Sequence, residues 1–262
     1  MGTNDISWMN LILGSLVIII PVLIFQYYRT GLVRQMLIAF GRMTVQLLFV
    51  GFYLKYIFAL NNWGINLLWI VIMMIAASVS IVRRSELRSN ALIIPVIAGL
   101  VADVALNGLI YAFIVMDTES FLNARYMIPI TGMVIGNCIT NAIIGIRAFY
   151  KNLKTDEARY RYALIAGATR DEALRPFIAE ALKTSFAPTI ASNATIGLIW
   201  LPGMMTGQIL GGSDPMTAIK YQILIVISIF VGGVITVFTA LSLSKKYTFD
   251  ANDNLRKSIH IA

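Results

Sequence analysis

Three groups of side chains have types and spacings that could do chemistry in an otherwise apolar chain. Asp103 stands near the centre of an apolar run over 91–116, and Asn107 follows one helical turn later on the same face. An ionisable residue at that depth is a functional candidate by default. Asp103 suits binding a cation, carrying a proton, or pairing with a basic residue such as Arg42. Arg42 shares a face with Gln46, and its long stem also suits reaching out to a membrane interface. In the second group, Met133, Asn137 and Asn141 recur at i, i+4 and i+8, with Gly132, Gly136 and Thr140 on the adjacent stripe. Small residues four apart let helices approach, and amides in an apolar medium seek partners. Gly132 and Gly136 are expected to serve packing, while Asn137 and Asn141 fit helix packing and a translocation path alike. The third group is Leu201-Pro202-Gly203-Met204-Met205-Thr206-Gly207. Proline removes a backbone donor and glycine loosens the helix further. Broken backbone at membrane depth is tolerated only where it is buried in protein or lines a cavity. The run reads as a broken helix at a transport site or as a simple proline kink.

Residue types exclude several chemistries. The chain has one histidine, His260, and one cysteine, Cys138. That leaves no material for a Ser-His-Asp or Cys-His constellation or for an intrachain disulfide. No GxxxxGK[ST] stretch occurs, so no P-loop of its own binds ATP. A stable transition-metal site wants clusters of His, Cys or carboxylate. Here the apolar runs offer one Asp, one Cys, amides and the thioethers of Met73, Met74, Met133, Met204 and Met205. No metal ligand set can be assigned, and a weak passage site is the form metal handling would take.

The elements that must position these groups follow from hydropathy. The 262 residues are 58% hydrophobic and 13% charged, with mean hydropathy +0.77. Soluble domains carry roughly 25% charged residues. The chain therefore reads as an all-α, polytopic membrane protein, a single transmembrane domain over 1–262. A span needs roughly 20 apolar residues, and seven runs qualify, at about 8–28, 38–60, 65–82, 91–116, 126–147, 186–211 and 217–243. Pro21 should kink the first, which reads as a retained anchor and not a cleavable signal. Of the 21 Lys and Arg residues, all but Lys55, Arg125 and Lys220 fall on one side of this topology. The positive-inside rule then places the N-terminus outside and the C-terminus in the cytoplasm. This asymmetry accounts for the net charge of +8 without a nucleic-acid partner. On the outer side, Asp117, Glu119 and Asp214 read as loop residues or cation attractors. The basic inner loop 83–90 could contact a partner or anionic lipid.

One long polar passage remains, within a cytoplasmic segment 150–185. Over Thr155–Lys183 it reads as two helices around a hard break. Thr155 is a candidate N-cap, with Asp156 and Glu157 complementing the helix start. Gly167 is a stop, because glycine enters the left-handed cap conformation without penalty. Thr169 and Glu172 then stand at capping-box spacing. Such an elbow, held out of a membrane, suits docking onto another protein.

The chain resembles the bacterial iron-export ABC permease family, which includes plant aluminium-tolerance half-transporters. The matching stretches are Gly41-Arg42…Gln46-Leu47…Val50-Gly51…Leu54-Lys55-Tyr56-Ile57-Phe58; Ile128-Pro129-Ile130-Thr131-Gly132-Met133…Gly136-Asn137; Gly197-Leu198…Leu201-Pro202-Gly203-Met204-Met205-Thr206-Gly207; and Asp214-Pro215…Ala218-Ile219-Lys220-Tyr221-Gln222. The polar passage is also similar to the coupling loop of ABC importer permeases, with Glu157-Ala158, Gly167-Ala168 and Pro188 in the matching places. The resemblance implies a coupling tip at Gly167, Ala168 and Thr169 that docks into an ABC ATPase subunit. It implies a homodimer of permeases in the plasma or bacterial inner membrane. ATP and magnesium would be held by the partner subunit, with no cofactor in this chain and no enzyme activity of its own. It further implies export of a metal ion, iron first. Asp103, Met133, Asn137, Asn141, Pro202, Gly203, Met204 and Met205 are the expected path. Rival readings are an ion-coupled secondary transporter using Asp103, an ABC permease for another substrate such as a nucleotide sugar, and a membrane scaffold that recruits a soluble partner.

Overall fold

The computed structural model describes residues 6–87, 90–250 and 252–256; Arg88, Lys257 and His260 lie outside them. Every regular element among the described residues is helical. The helices are α1 (Trp8–Ser15), α2 (Ile19–Tyr27), α3 (Val33–Leu60), α4 (Trp63–Arg84), α5 (Ile93–Ile110), α6 (Thr118–Leu122), α7 (Ala124–Thr155), α8 (Glu157–Ile165), α9 (Arg170–Asn193), α10 (Gly203–Leu210) and α11 (Pro215–Thr248). Among the described residues, six helical stretches are long and apolar enough to cross a membrane: Trp8–Tyr27, Val33–Leu60, Trp63–Arg84, Asn90–Val115, Ala124–Thr155 and Pro215–Thr248. The protein is thus an all-α, multi-pass membrane protein.

Local chemistry sets the boundaries. Pro21 has no amide to give the carbonyl of Val17, and the chain tightens there into a 3-10 turn over Leu16–Ile18. Asn61 takes a left-handed conformation (φ 39°) to end α3, and the Asn62 side chain accepts from the amides of Gly64 and Ile65 to start α4. Asp117 caps α6 and Asp214 caps α11 in the same way. Those two carboxylates therefore have structural work as caps.

The sixth expected run, 186–211, is not one helix. Its first part belongs to α9, which starts at Arg170, passes through Pro176 and Pro188, and stops at Asn193. The chain then unwinds over 194–202, with Gly197 at φ +86°, before α10 begins at Gly203. The second helix of the elbow and the start of the sixth run are thus one continuous rod. Pro188 fails to break it, because an interior proline costs one ladder bond and a local bend, which a helix held in the turns before it by buried Ala181, Ser185 and Phe186 can absorb.

The core is built from α4, α5, α7, α9 and α11, with α11 packed along both α5 and α7. Ile81, Leu100, Ile146, Ile225 and Leu241 are fully buried among them. In a bilayer such helices are held by close packing and hydrogen bonds more than by exclusion of water. The close approaches are at Gly99, Gly145, Gly232 and Gly233. A β-carbon at Gly99, for example, would stand 2.6 Å from the Thr236 carbonyl oxygen. Gly132 and Gly136, expected to serve packing, do not bring helices together within this chain. Gly132 has only the Met73 sulfur at 3.8 Å, and Gly136 has nothing within 4 Å. At the periphery, α1 and α2 bury no residue and α3 buries only Ile57.

Candidate translocation cavity and coupling elbow

A cavity of about 540 Å³ lies among α7, α9, α10, α11 and the unwound stretch. Met133, Asn137 and Asn141 line it from α7, confirming that the i, i+4, i+8 stripe shares one face. Pro202, Gly203 and Met204 line it from the break before α10. Met205, one residue on, is buried and does not line it. Sequence reading missed the α9 and α11 contributions: Ser185, Pro188, Thr189, Ser192 and Asn193, and then Gln222. The signal was present in Thr189, Ser192 and Asn193, three polar residues within one helical turn, and in Gln222 inside an apolar run.

The polar side chains here are positioned by short bonds. Asn137 Nδ2 donates to the Met133 carbonyl at 2.8 Å, a bond to its own helix that fixes its rotamer. Thr189 Oγ1 donates to Asn141 Oδ1 at 3.1 Å and ties α9 to α7. Gln222 Oε1 is buried and has no hydrogen-bond partner among the described residues. A buried acceptor in that state costs free energy unless something donates to it.

Asp103 lies elsewhere. It is fully buried between α5, α7 and α11 and does not line the cavity. Its Oδ1 accepts from Asn107 Nδ2 at 2.7 Å, and its Oδ2 accepts from Cys138 Sγ at 3.3 Å. Arg42, on peripheral α3, is not its partner. The network continues from Asn107 Nδ2 to the Ser228 carbonyl at 3.4 Å, and from Ser228 Oγ to Tyr111 Oη at 3.4 Å. These bonds fasten α5 to α11.

At the far end of α7 and α9 stands the elbow. α7 runs through Thr155, whose hydroxyl donates back to the Lys151 carbonyl, so Thr155 is not the N-cap of α8. The bend falls at Asp156 (φ −115°, ψ 43°). Burial of Phe149, Tyr150 and Leu153 explains why α7 outlasts its apolar run. Gly167 adopts φ +95°, and its amide donates to the Leu164 carbonyl while that of Ala168 reaches Ala163, closing the end of α8 as a glycine C-cap. The Thr169–Glu172 capping box is complete: the Glu172 carboxylate accepts from the Thr169 amide at 2.8 Å, and the Thr169 hydroxyl accepts from the Glu172 amide at 3.4 Å. The Thr169 hydroxyl and amide hold the Glu172 carboxyl below the usual carboxylate range.

Glu157 pairs with Arg161 on exposed α8, next to Ala158, and Gly167 and Thr169 are exposed at the tip. Tyr162 and Ile165 beside them are 74% and 85% exposed. They went unnoticed in the sequence because Tyr160, Ala163 and Leu164 in the same nine-residue helix are apolar too, and composition alone does not say which of them face outward. Behind the tip, the end of α11 and the chain after it are strapped to the elbow. Arg170 pairs with Asp253 and stacks over Phe249, the Tyr160 hydroxyl donates to the Asp253 carbonyl at 2.8 Å, and Lys245 pairs with Asp171 at 2.7 Å. Burial first, and the Asp253 charge after it, push the Tyr160 phenol up to about 12, so it stays a donor.

Comparison with known proteins agrees with the resemblance in the motifs. The chain matches, over residues 8–249, the family described as Uncharacterised protein family (UPF0014). It is 28% identical to the UPF0014 membrane protein YjkA of Bacillus subtilis, over 96% of this chain and 99% of that protein. It is 31% identical to the "Probable iron export permease protein FetB" of Escherichia coli, over 86% of this chain and 85% of that protein. It is 30% identical to Protein ALUMINUM SENSITIVE 3 of Arabidopsis thaliana, over 87% and 85%. No solved structure matches at a significant level.

Proposed function

Because this chain belongs to the UPF0014 family, we propose that it is the permease subunit of an ATP-driven exporter in the plasma or bacterial inner membrane. Its role in membrane transport is common ground with its permease relatives. The finer reading assigns the cavity as the substrate path, the elbow as the dock for an ABC ATPase subunit, and the elbow side as cytoplasmic. ATP and magnesium belong to that partner, and two copies of the permease complete the transporter. A metal ion, iron first, is the leading substrate, after the name of the Escherichia coli relative.

The observation that carries this reading is one of connectivity. α7 and α9 both line the cavity at one end and are joined through α8 and Gly167 at the other. A partner that moves the elbow therefore moves two walls of the cavity. The exposed apolar pair Tyr162 and Ile165 gives that partner something to bury.

The test is affinity purification of the tagged chain in mild detergent, followed by mass spectrometry and an ATPase assay. A P-loop ATPase should co-purify in equal amount, and Gly167→Arg should release it. In vesicles, vanadate should stop transport and a proton uncoupler should not. A chain that purifies alone, with transport that only the uncoupler stops, would transfer the assignment to a secondary transporter.

A further inference from the structure

Among the described residues, the lining of the cavity carries no charge. It holds no Asp, Glu, Lys, Arg, His or Cys; its polar residues are amides and hydroxyls, joined by the thioethers of Met133 and Met204 and the indole of Trp200. Asp103 is fully buried outside it, with its carboxylate taken up by Asn107 and Cys138. Among the described residues no three His, Cys, Asp or Glu side chains gather anywhere.

A bare di- or trivalent cation entering such a chamber would exchange its hydration for neutral dipoles in a medium of low dielectric, the most expensive transfer available to it. An anionic nucleotide sugar would meet no Lys or Arg to pair its phosphates. Size points the same way. The cavity measures about 540 Å³. That volume lies in the range of roughly 300–1,000 Å³ typical of organic-ligand sites. The unpartnered Gln222 oxygen, on a residue only 8% exposed, asks for a hydrogen-bond donor and not for a positive charge alone.

We propose that the cavity takes its cargo in an uncharged, hydrogen-bonding organic form, so that a metal passes only inside a neutral chelate. This deepens the transport reading and rests on it. The full chain in lipid nanodiscs would be challenged with two forms of radiolabelled iron. One is aqueous ferrous iron; the other is iron(III) neutralised by three monoanionic hydroxypyranone ligands. The chelate should be retained and the aqueous ion should not. Asn141→Ala should weaken chelate retention about ten-fold, as loss of one buried hydrogen-bonding group does. Asn137→Asp with Asn141→Asp should reverse the preference, gaining the aqueous ion and losing the chelate.

Retention of aqueous iron by the unaltered chain, weakened by Asn141→Ala, would overturn the proposal and leave the cavity as the transport site. Retention of neither form would overturn it as well. If, in addition, ATP-driven transport survives obstruction of the cavity by Asn137→Trp, the transport reading of the cavity falls with it.

Discussion

The carboxyl group of Asp103 lies against the backbone of Gly232, in the space a side chain there would need: a β-carbon on Gly232 would stand 2.6 Å from the Asp103 Cγ. The two residues are 129 positions apart on helices that pack along much of their length. Gly232→Ala should therefore force α5 and α11 apart and cost about 1–3 kcal/mol. Asp103→Leu should cost a similar amount, because the Asn107 amide loses its shortest hydrogen bond and the Cys138 thiol loses its acceptor. Thermal unfolding in detergent checks both. An unshifted transition in Gly232→Ala would mean that the helices separate at no cost.

At the elbow, Gly167 has a left-handed backbone and open space where a side chain would go. A larger residue there meets nothing in this chain and carries only the conformational cost of about 1–2 kcal/mol. Gly167→Ala should keep both fold and partner, whereas Gly167→Arg should keep the fold and lose the partner. Equal co-purification of an ATPase with both variants would remove the elbow from the docking surface.

The elbow should also respond to acid. Both Glu172, bonded by Thr169, and Asp171, bonded and charge-paired by Lys245, have carboxyls held below their usual range. A depressed folded-state pKa contributes stability that is fully present above the unfolded value and is lost as pH falls through the folded one. Amide exchange at 169–173 should therefore accelerate, relative to its intrinsic rate, once pH drops below the ordinary carboxylate range near 4. Thr169→Ala should be faster than the parent already at neutral pH and should respond less to acid.

Obstruction should separate path from packing. Asn137 is exposed on the cavity face, so Asn137→Trp has room to fold and should stop transport while the complex remains intact. Asn141→Leu removes the acceptor of Thr189 and should both slow transport and loosen α9 from α7. Vesicle uptake measured beside gel filtration distinguishes the two outcomes.

The strap behind the elbow predicts a graded loss. Tyr160→Phe removes one hydrogen bond to the Asp253 carbonyl, worth about 1 kcal/mol. Arg170→Ala removes the ion pair and the stacking on Phe249. With both ionic side chains about a third exposed, the pair is screened and worth no more than about 1 kcal/mol. Limited trypsin digestion near the C-terminus should accelerate in the order parent, Tyr160→Phe, Arg170→Ala with Tyr160→Phe. Identical rates would show that the strap does not restrain the tail.

Much of this was legible in the sequence, for reasons that vary by residue. The stripe Met133-Asn137-Asn141 was visible because helical periodicity is a local property. The elbow was visible because Gly167, Thr169 and Glu172 act within a few residues of one another. The unwound span was half visible: Pro202 marks where α10 starts, but the helix ends nine residues earlier, at Asn193, where no single residue is a strong stop. The continuity of α9 through Pro188 was hidden, since a proline and a change from polar to apolar composition both read as a boundary. The Asp103–Gly232 and Arg170–Asp253 relationships were invisible, because each joins positions that only packing brings together.

The uninterrupted course of α9 has a mechanical consequence. From Arg170 at the elbow to Asn193 at the cavity it spans about 35 Å at roughly 1.5 Å per residue. A rod of that length is a lever: a tilt of about 5° at the docking end displaces the other end by about 3 Å. That stroke is close to the diameter of a water molecule, enough to seal or open a passage, and it requires no change in the internal hydrogen bonds of the helix.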